Sequence, residues 1–180
     1  ELLQNGKNAV GGILGNGFYN PAKYWALGYG TPRFLMQLHF TYTDGTEETI
    51  VSDQSWKIGK SPILMDMVYY GEHYDARLEQ DGWCMPGFDD SVWENATQKK
   101  APEGKLVAHT AYPDKVVERL KPIRIEKMYN GNYTVDFGEE ISGWVKLENV
   151  EGPAGHKVEI NYMGNIYSGD NSYVFRGKGK

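Results

Sequence analysis

Glycine and proline interrupt this chain so often that no long helix has room to form. Its 180 residues include 22 Gly and 8 Pro, and nearly every stretch of ten carries one or the other. Glycine weakens a helix interior through backbone entropy, and proline removes a donor and clashes with the preceding turn. What lies between these breakers is strand-like. Phe34, Met36, Leu38, Phe40 and Tyr42 alternate with Gln37, His39, Thr41 and Thr43, the period-two pattern of a half-buried strand. Asp44-Gly45 then supplies the positive φ of a tight hairpin, and Thr49-Ile50-Val51 starts the return strand. Further strands are expected in Asn8–Leu14, Ser55–Ile58, Tyr133–Phe137, Trp144–Val150 and Lys157–Tyr162. Short strands at this spacing predict an all-β sandwich. The best candidate for a helical turn is Asp89–Trp93, where an Asp or Ser would cap it. The polar stretch Thr97–Gly104 reads as a linker and divides the chain at about residue 105.

Composition excludes several classes. The net charge of -5 argues against a nucleic-acid binder working by phosphate neutralisation. A lone Cys84 leaves no internal disulfide framework and no cysteine-built zinc site. The apolar runs fall far short of a membrane span, and no signal peptide is present in these residues. Localisation stays open: periplasmic, secreted or cytoplasmic settings are all compatible.

Several motifs carry chemistry, each with a plainer alternative. Gly71–Arg77 places Glu72, His73, Tyr74, Asp75 and Arg77 together. Carboxylates and Arg bind vicinal hydroxyls through charge-assisted hydrogen bonds, and Tyr stacks on a sugar face. The same residues would equally form an ion pair tying a loop. Gly15-Asn16-Gly17-Phe18-Tyr19 permits a sharp turn. No helix pattern follows it, so a phosphate cradle is excluded. A sugar-facing turn carrying Asn16 and Tyr19 and a purely structural turn both remain. Asp89 and Asp90 lack the spaced oxygens of a calcium loop; capping, with Phe88 and Trp93 packed inside, fits better. Asp136-Phe137-Gly138 has none of the accompanying kinase motifs. Adjacent Glu139 and Glu140 do not make a glycosidase pair, which spans a cleft. His39, His73, His109 and His156 are scattered, and the five Trp suit a sandwich core.

Taken together, Gly6–Val10, Leu14–Tyr19, Gln37–Glu48, Ser52–Lys57, Tyr70–Arg77, Gly87–Trp93, Leu120–Ile123, Val135–Val145 and Gly152–Gly155 resemble, in order, the non-catalytic N-terminal region of bacterial α-L-rhamnosidases of glycoside hydrolase family 78. Tyr70–Arg77 is the most specific segment. Phe18 stands where the family usually has Trp, and Glu139-Glu140 where it more often has Gln-Asn. The resemblance implies a galactose-binding-like jelly roll over residues 1–105, a fold that in some relatives binds L-rhamnose with the help of Ca²⁺. It implies the start of a concanavalin-like β-sandwich over residues 106–180. It places catalysis elsewhere, in an inverting α-helical toroid with paired glutamates, the expected partner in cis. Both ends of the chain resemble interior points of the family's sandwiches, so exposed edges and apolar surface are expected.

Two functions follow. In one, both sandwiches orient the catalytic domain, with Glu72, Asp75 and Arg77 satisfying one another. In the other, the chain is an L-rhamnose-binding module, with Asn16, Tyr19, Glu72, Tyr74, Asp75 and Arg77 on the recognition face, rhamnose-containing glycans as ligands and Ca²⁺ as the implied cofactor.

Overall fold

A computed structural model describes residues 3–21, 29–101, 103–105, 107, 110–162 and 170–177. Trp25 and His109 lie outside the described residues, as do Glu1 and Leu2. In chain order the elements are β1 (Gln37–Thr41), β2 (Glu47–Val51), β3 (Lys57–Ile58), β4 (Ile63–Met67), β5 (Gly71–Asp75), a 3-10 turn η1 (Ala76–Leu78), β6 (Glu94–Asn95), β7 (Arg124–Lys127), β8 (Tyr133–Asp136), β9 (Lys157–Asn161) and β10 (Asp170–Val174). The fold is all-β, as the punctuation predicts. It divides into two compact units, Glu1–Lys100 with Glu151–Lys180, and Ala101–Val150.

In the first unit, β1 and β2 form the expected hairpin, Gln37 opposite Val51 and Thr41 opposite Glu47. Leu38 and Phe40 are half-buried while Gln37, His39 and Thr41 are exposed. The turn closes as its residues dictate: Gly45 has φ 83°, and Asp44 Oδ1 accepts from the Thr46 amide (2.9 Å) and hydroxyl (2.7 Å). The larger sheet runs β4-β5-β10-β9. Its β10 lies parallel to β5 and antiparallel to β9, so β9 and β10 complete a sheet begun at residue 63. Met67 of β4, 5% exposed, is the one buried hydrophobic side chain among the described residues.

The short ladder of β3 with β6 is backed by a ring. Trp93 approaches Gly59 closely enough that a methyl group there would overlap the indole. Its Nε1–H donates to Gln80 Oε1 (2.8 Å), and Phe88 packs against it with centroids 5.3 Å apart. The paired packing of Phe88 and Trp93 matches expectation, but Asp89–Trp93 is a turn rather than a helix, with the Trp93 amide bonded to the Asp90 carbonyl at 2.9 Å.

Asn8–Leu14 forms no strand. Gly11 lies against the Trp83 ring and Gly12 against Phe34, so this backbone packs on aromatic faces instead of entering a ladder. Trp144–Val150 also has no strand pairing among the described residues. In the second unit, β7 and β8 pair with Ile125 opposite Val135 and Lys127 opposite Tyr133. Ile125 and Val135 remain exposed.

The 3-10 turn η1 has no helical sequence pattern; it exists because Asp75 caps it. Asp75 is 6% exposed, and its Oδ1 accepts the Arg77 amide at 3.0 Å. The Arg77 guanidinium, hydrogen-bonded to the carboxylate, holds Asp75 below its ordinary value of 3.8. A lowered carboxylate pKa contributes stability that is full above the unfolded-state value and is lost as pH falls through the folded one. Protection of the Arg77 amide from hydrogen exchange should therefore persist near neutrality and fade as pH drops below about 4. In Asp75→Asn that acid-dependent component should vanish. A second expectation concerns the Trp93 wall. Gly59→Ala should destabilise by about 1–3 kcal/mol, read as a lower thermal midpoint, while Lys60→Ala next to it leaves the midpoint unchanged.

Candidate functional site

Asp66 interrupts the apolar strand Ile63-Leu64-Met65-Asp66-Met67, and its carboxylate organises the Asn16 turn. Oδ2 accepts the amides of Asn16 (2.7 Å) and Gly17 (3.2 Å), and Oδ1 accepts Asn16 Nδ2–H (3.0 Å). Gly15 is required for this approach, since a side chain there would collide with the carboxylate. Asn20 Nδ2–H donates to Asn16 Oδ1 at 2.8 Å. Just beyond, Tyr19 stacks on Tyr29 with centroids 5.7 Å apart and planes 25° apart, both rings exposed.

Glu72 sits directly across the ladder from Asp66. Like charges in facing positions repel; the three N–H donors on Asp66 offset that cost. The structure thus brings Asn16 and Glu72 to either side of one carboxylate, a link that sequence spacing did not show. A lone acid within an apolar strand was the available signal.

The rest of the predicted segment is engaged in other ways. The Tyr74 hydroxyl donates to Glu79 Oε1 at 2.6 Å. Burial, then that hydrogen bond to Glu79, push its pKa up to about 12. Arg77 grips Asp75 in a fork, Nε to Oδ1 at 2.9 Å and Nη2 to Oδ2 at 2.6 Å, the bidentate geometry of a strong carboxylate pair. Arg176, just past β10, holds Asp81 the same way at 2.6 and 2.8 Å and lies 3.6 Å from Glu79 Oε2. Glu79, Asp81 and Arg176 were not anticipated; their contacts span up to 97 residues and have no local signature.

A hard cation takes six or more oxygen ligands. The Asp66 carboxylate is committed to three N–H donors, and no group of three or more His, Cys, Asp or Glu suited to a metal occurs among the described residues. A carboxylate ringed by N–H donors, as Asp66 is, does not fit a cation ligand at that position. No helix of the described structure is long and apolar enough to cross a membrane.

Comparison with known proteins gives a consistent family. Residues 1–118 match the alpha-L-rhamnosidase N-terminal domain, and residues 126–177 the bacterial alpha-L-rhamnosidase concanavalin-like domain. An alpha-L-rhamnosidase of Formosa agariphila is 39% identical over 169 residues, covering 89% of this chain and 18% of that protein. Among solved structures, the alpha-L-rhamnosidase from Dictyoglumus thermophilum superposes with a TM-score of 0.72 at 33% identity, over 81% of this chain and 18% of its own. The Streptomyces avermitilis alpha-L-rhamnosidase complexed with L-rhamnose gives 0.73 at 30% identity, over 81% and 15%. The chain therefore spans less than a fifth of the length of these relatives. With both domain matches and these identities, the chain belongs to the bacterial alpha-L-rhamnosidase family and corresponds to its N-terminal, non-catalytic β-domains.

Proposed function

We propose that this chain orients the catalytic domain of an α-L-rhamnosidase, an α-helical toroid in cis, and that rhamnose-containing glycans are the substrates of the whole enzyme. The observation that carries this reading is the internal pairing of the side chains best suited to sugar. Asp75 is gripped by Arg77, and Tyr74 is bonded to Glu79. Removing a sugar-binding role from these residues leaves a scaffold. Exposed apolar side chains support it from another direction: Ile13, Leu64, Val68, Ile125 and Val135 all face outward. Where such side chains gather into a contiguous patch, that patch marks an interface. The domain division at residue 105, into a jelly roll and the start of a second sandwich, belongs to the same proposal.

One observation favours a second reading, L-rhamnose recognition at the Asn16 turn. The stacked, exposed rings of Tyr19 and Tyr29 offer an apolar platform beside the Asn16 and Asn20 amides. Glu72 stands nearby, across the ladder from Asp66. Asp66 is occupied by N–H donors, so this recognition runs through direct hydrogen bonds and stacking.

The scaffold reading is tested with ANS, a dye that reports exposed apolar surface. The isolated chain should enhance ANS fluorescence strongly, and the same chain joined to the rest of its enzyme should do so much less. Equal, weak enhancement in both would defeat the scaffold proposal. The recognition reading is tested by titrating L-rhamnose into the complete enzyme with Ca²⁺ and with EDTA. A second class of saturable sites, lost in Tyr19→Ala and indifferent to EDTA, is its expected result. A single class unchanged by Tyr19→Ala refutes it, and loss in EDTA would restore calcium.

A further inference from the structure

The larger sheet carries a recess that neither reading uses. In register, His73 of β5 faces Ser172 of β10, which faces Glu159 of β9. These three, with Lys157, Asn161 and Asn171, line a recess of about 360 Å³, at the small end of the range for small-molecule sites. The His73 ring, the Ser172 hydroxyl and the Asn161 amide have no side-chain hydrogen bond among the described residues. The recess is therefore lined by polar groups with open capacity, on a rigid ladder that spaces them about 4.8 Å apart from strand to strand.

The chemistry of the lining selects a class of ligand. A neutral imidazole, a hydroxyl and a carboxamide can each both donate and accept. Sugar hydroxyls have the same dual character. An anion would want a surplus of positive charge, but the one lysine here, Lys157, is already paired with Glu159. A metal cation would want several carboxylates, and the lining has one. Two steps of about 4.8 Å across three strands leave room for a single sugar ring between the outer groups. We propose that this recess is a binding site for an uncharged sugar, with His73, Ser172 and Asn161 as its contacts. It lies on a different part of the unit from the Asn16 turn and stands whether or not that turn binds sugar.

The test is hydrogen exchange followed by mass spectrometry on the complete enzyme, titrated with L-rhamnose, D-galactose and D-glucuronate at millimolar concentration. A neutral sugar should slow exchange in segments 71–75, 157–162 and 170–174, and D-glucuronate should not. Ser172→Ala and, separately, Asn161→Ala should each weaken that effect about tenfold, the scale of one or two hydrogen bonds. Asn161 is exposed at the sheet edge, so its variant is expected to fold even if the Ser172 variant does not. Absence of slowing in these segments with both neutral sugars overturns the proposal. So does equal slowing by D-glucuronate, or slowing that both variants leave intact. Slowing confined to residues 13–20 would also overturn it, while supporting the Asn16 turn as the sugar site.

Discussion

One side chain holds the central sheet to its own return strand. Asn171, 7% exposed, lies on β10 between two neighbours. Its Oδ1 accepts the Glu72 amide of β5 at 3.0 Å, and its Nδ2–H donates to the Ile160 carbonyl of β9 at 3.2 Å. A buried amide that left either group unmet would cost roughly 1–3 kcal/mol. Meeting both fixes where β10 sits relative to both strands. Parallel pairing provides no local turn to set register, so a side-chain bridge takes over that task. The recess depends on it directly, because His73, Ser172 and Glu159 face one another only in this register.

The same constraint orders the polar networks. The hydrogen bond to Asn171 positions Glu72, and Glu72 stands opposite Asp66, which pins the Asn16 turn. At the far end of β5 the chain passes into Asp75 and the turn that Asp75 caps. Arg176, two residues past β10, reaches Asp81 and Glu79, and Glu79 in turn accepts from Tyr74. Two ends of one strand pair are thus fastened by different chemistry, an amide at one and charged forks at the other. Asp75 is buried beneath its Arg77 fork, whereas Asp81 is exposed, and an exposed ion pair adds little to stability. Both forks also set direction: Arg77 and Arg176 fix where the segment after β5 leaves the sheet.

The sequence makes local features legible and long-range ones opaque. Alternation in Gln37–Thr41 and the Asp44-Gly45 turn identified the first hairpin, because both strands and their turn lie within fifteen residues. Asn130-Gly131 carries the same signal for β7–β8, with Gly131 at φ 90°, and only β8 was anticipated. The β4 and β5 strands escaped notice for different reasons. Asp66 breaks the apolar pattern of the first, and a register shift between Ile63 and Met65 disturbs its period. The second is polar almost throughout. The partners of the candidate residues, Asp66, Asn171 and Glu79, belong to strands or loops that sequence spacing does not join to them. Recognition of the family came through those same motifs, since Tyr70–Arg77 is specific in sequence even where its contacts are not predictable.

The distribution of polar and apolar side chains across the larger sheet gives this geometry its consequence. On β9 and β10, Val158, Ile160 and Tyr173 alternate with Lys157, Glu159 and Ser172. On these two strands one face is apolar and the other polar, while across the sheet β4 places Met65 and the buried Met67 on the same face as His73 and Ser172. A sheet whose polar face served only solubility would be expected to carry mutually satisfied or fully solvated charges there. This one pairs Lys157 with Glu159 at the edge and leaves His73 and Ser172, both half-buried, toward the middle. Half-buried groups lose hydration without gaining a protein partner, a cost that a bound hydroxylated ligand would offset. The cost attaches to the central strands, whose register the Asn171 bridge fixes, so the ladder itself sets the spacing of these groups.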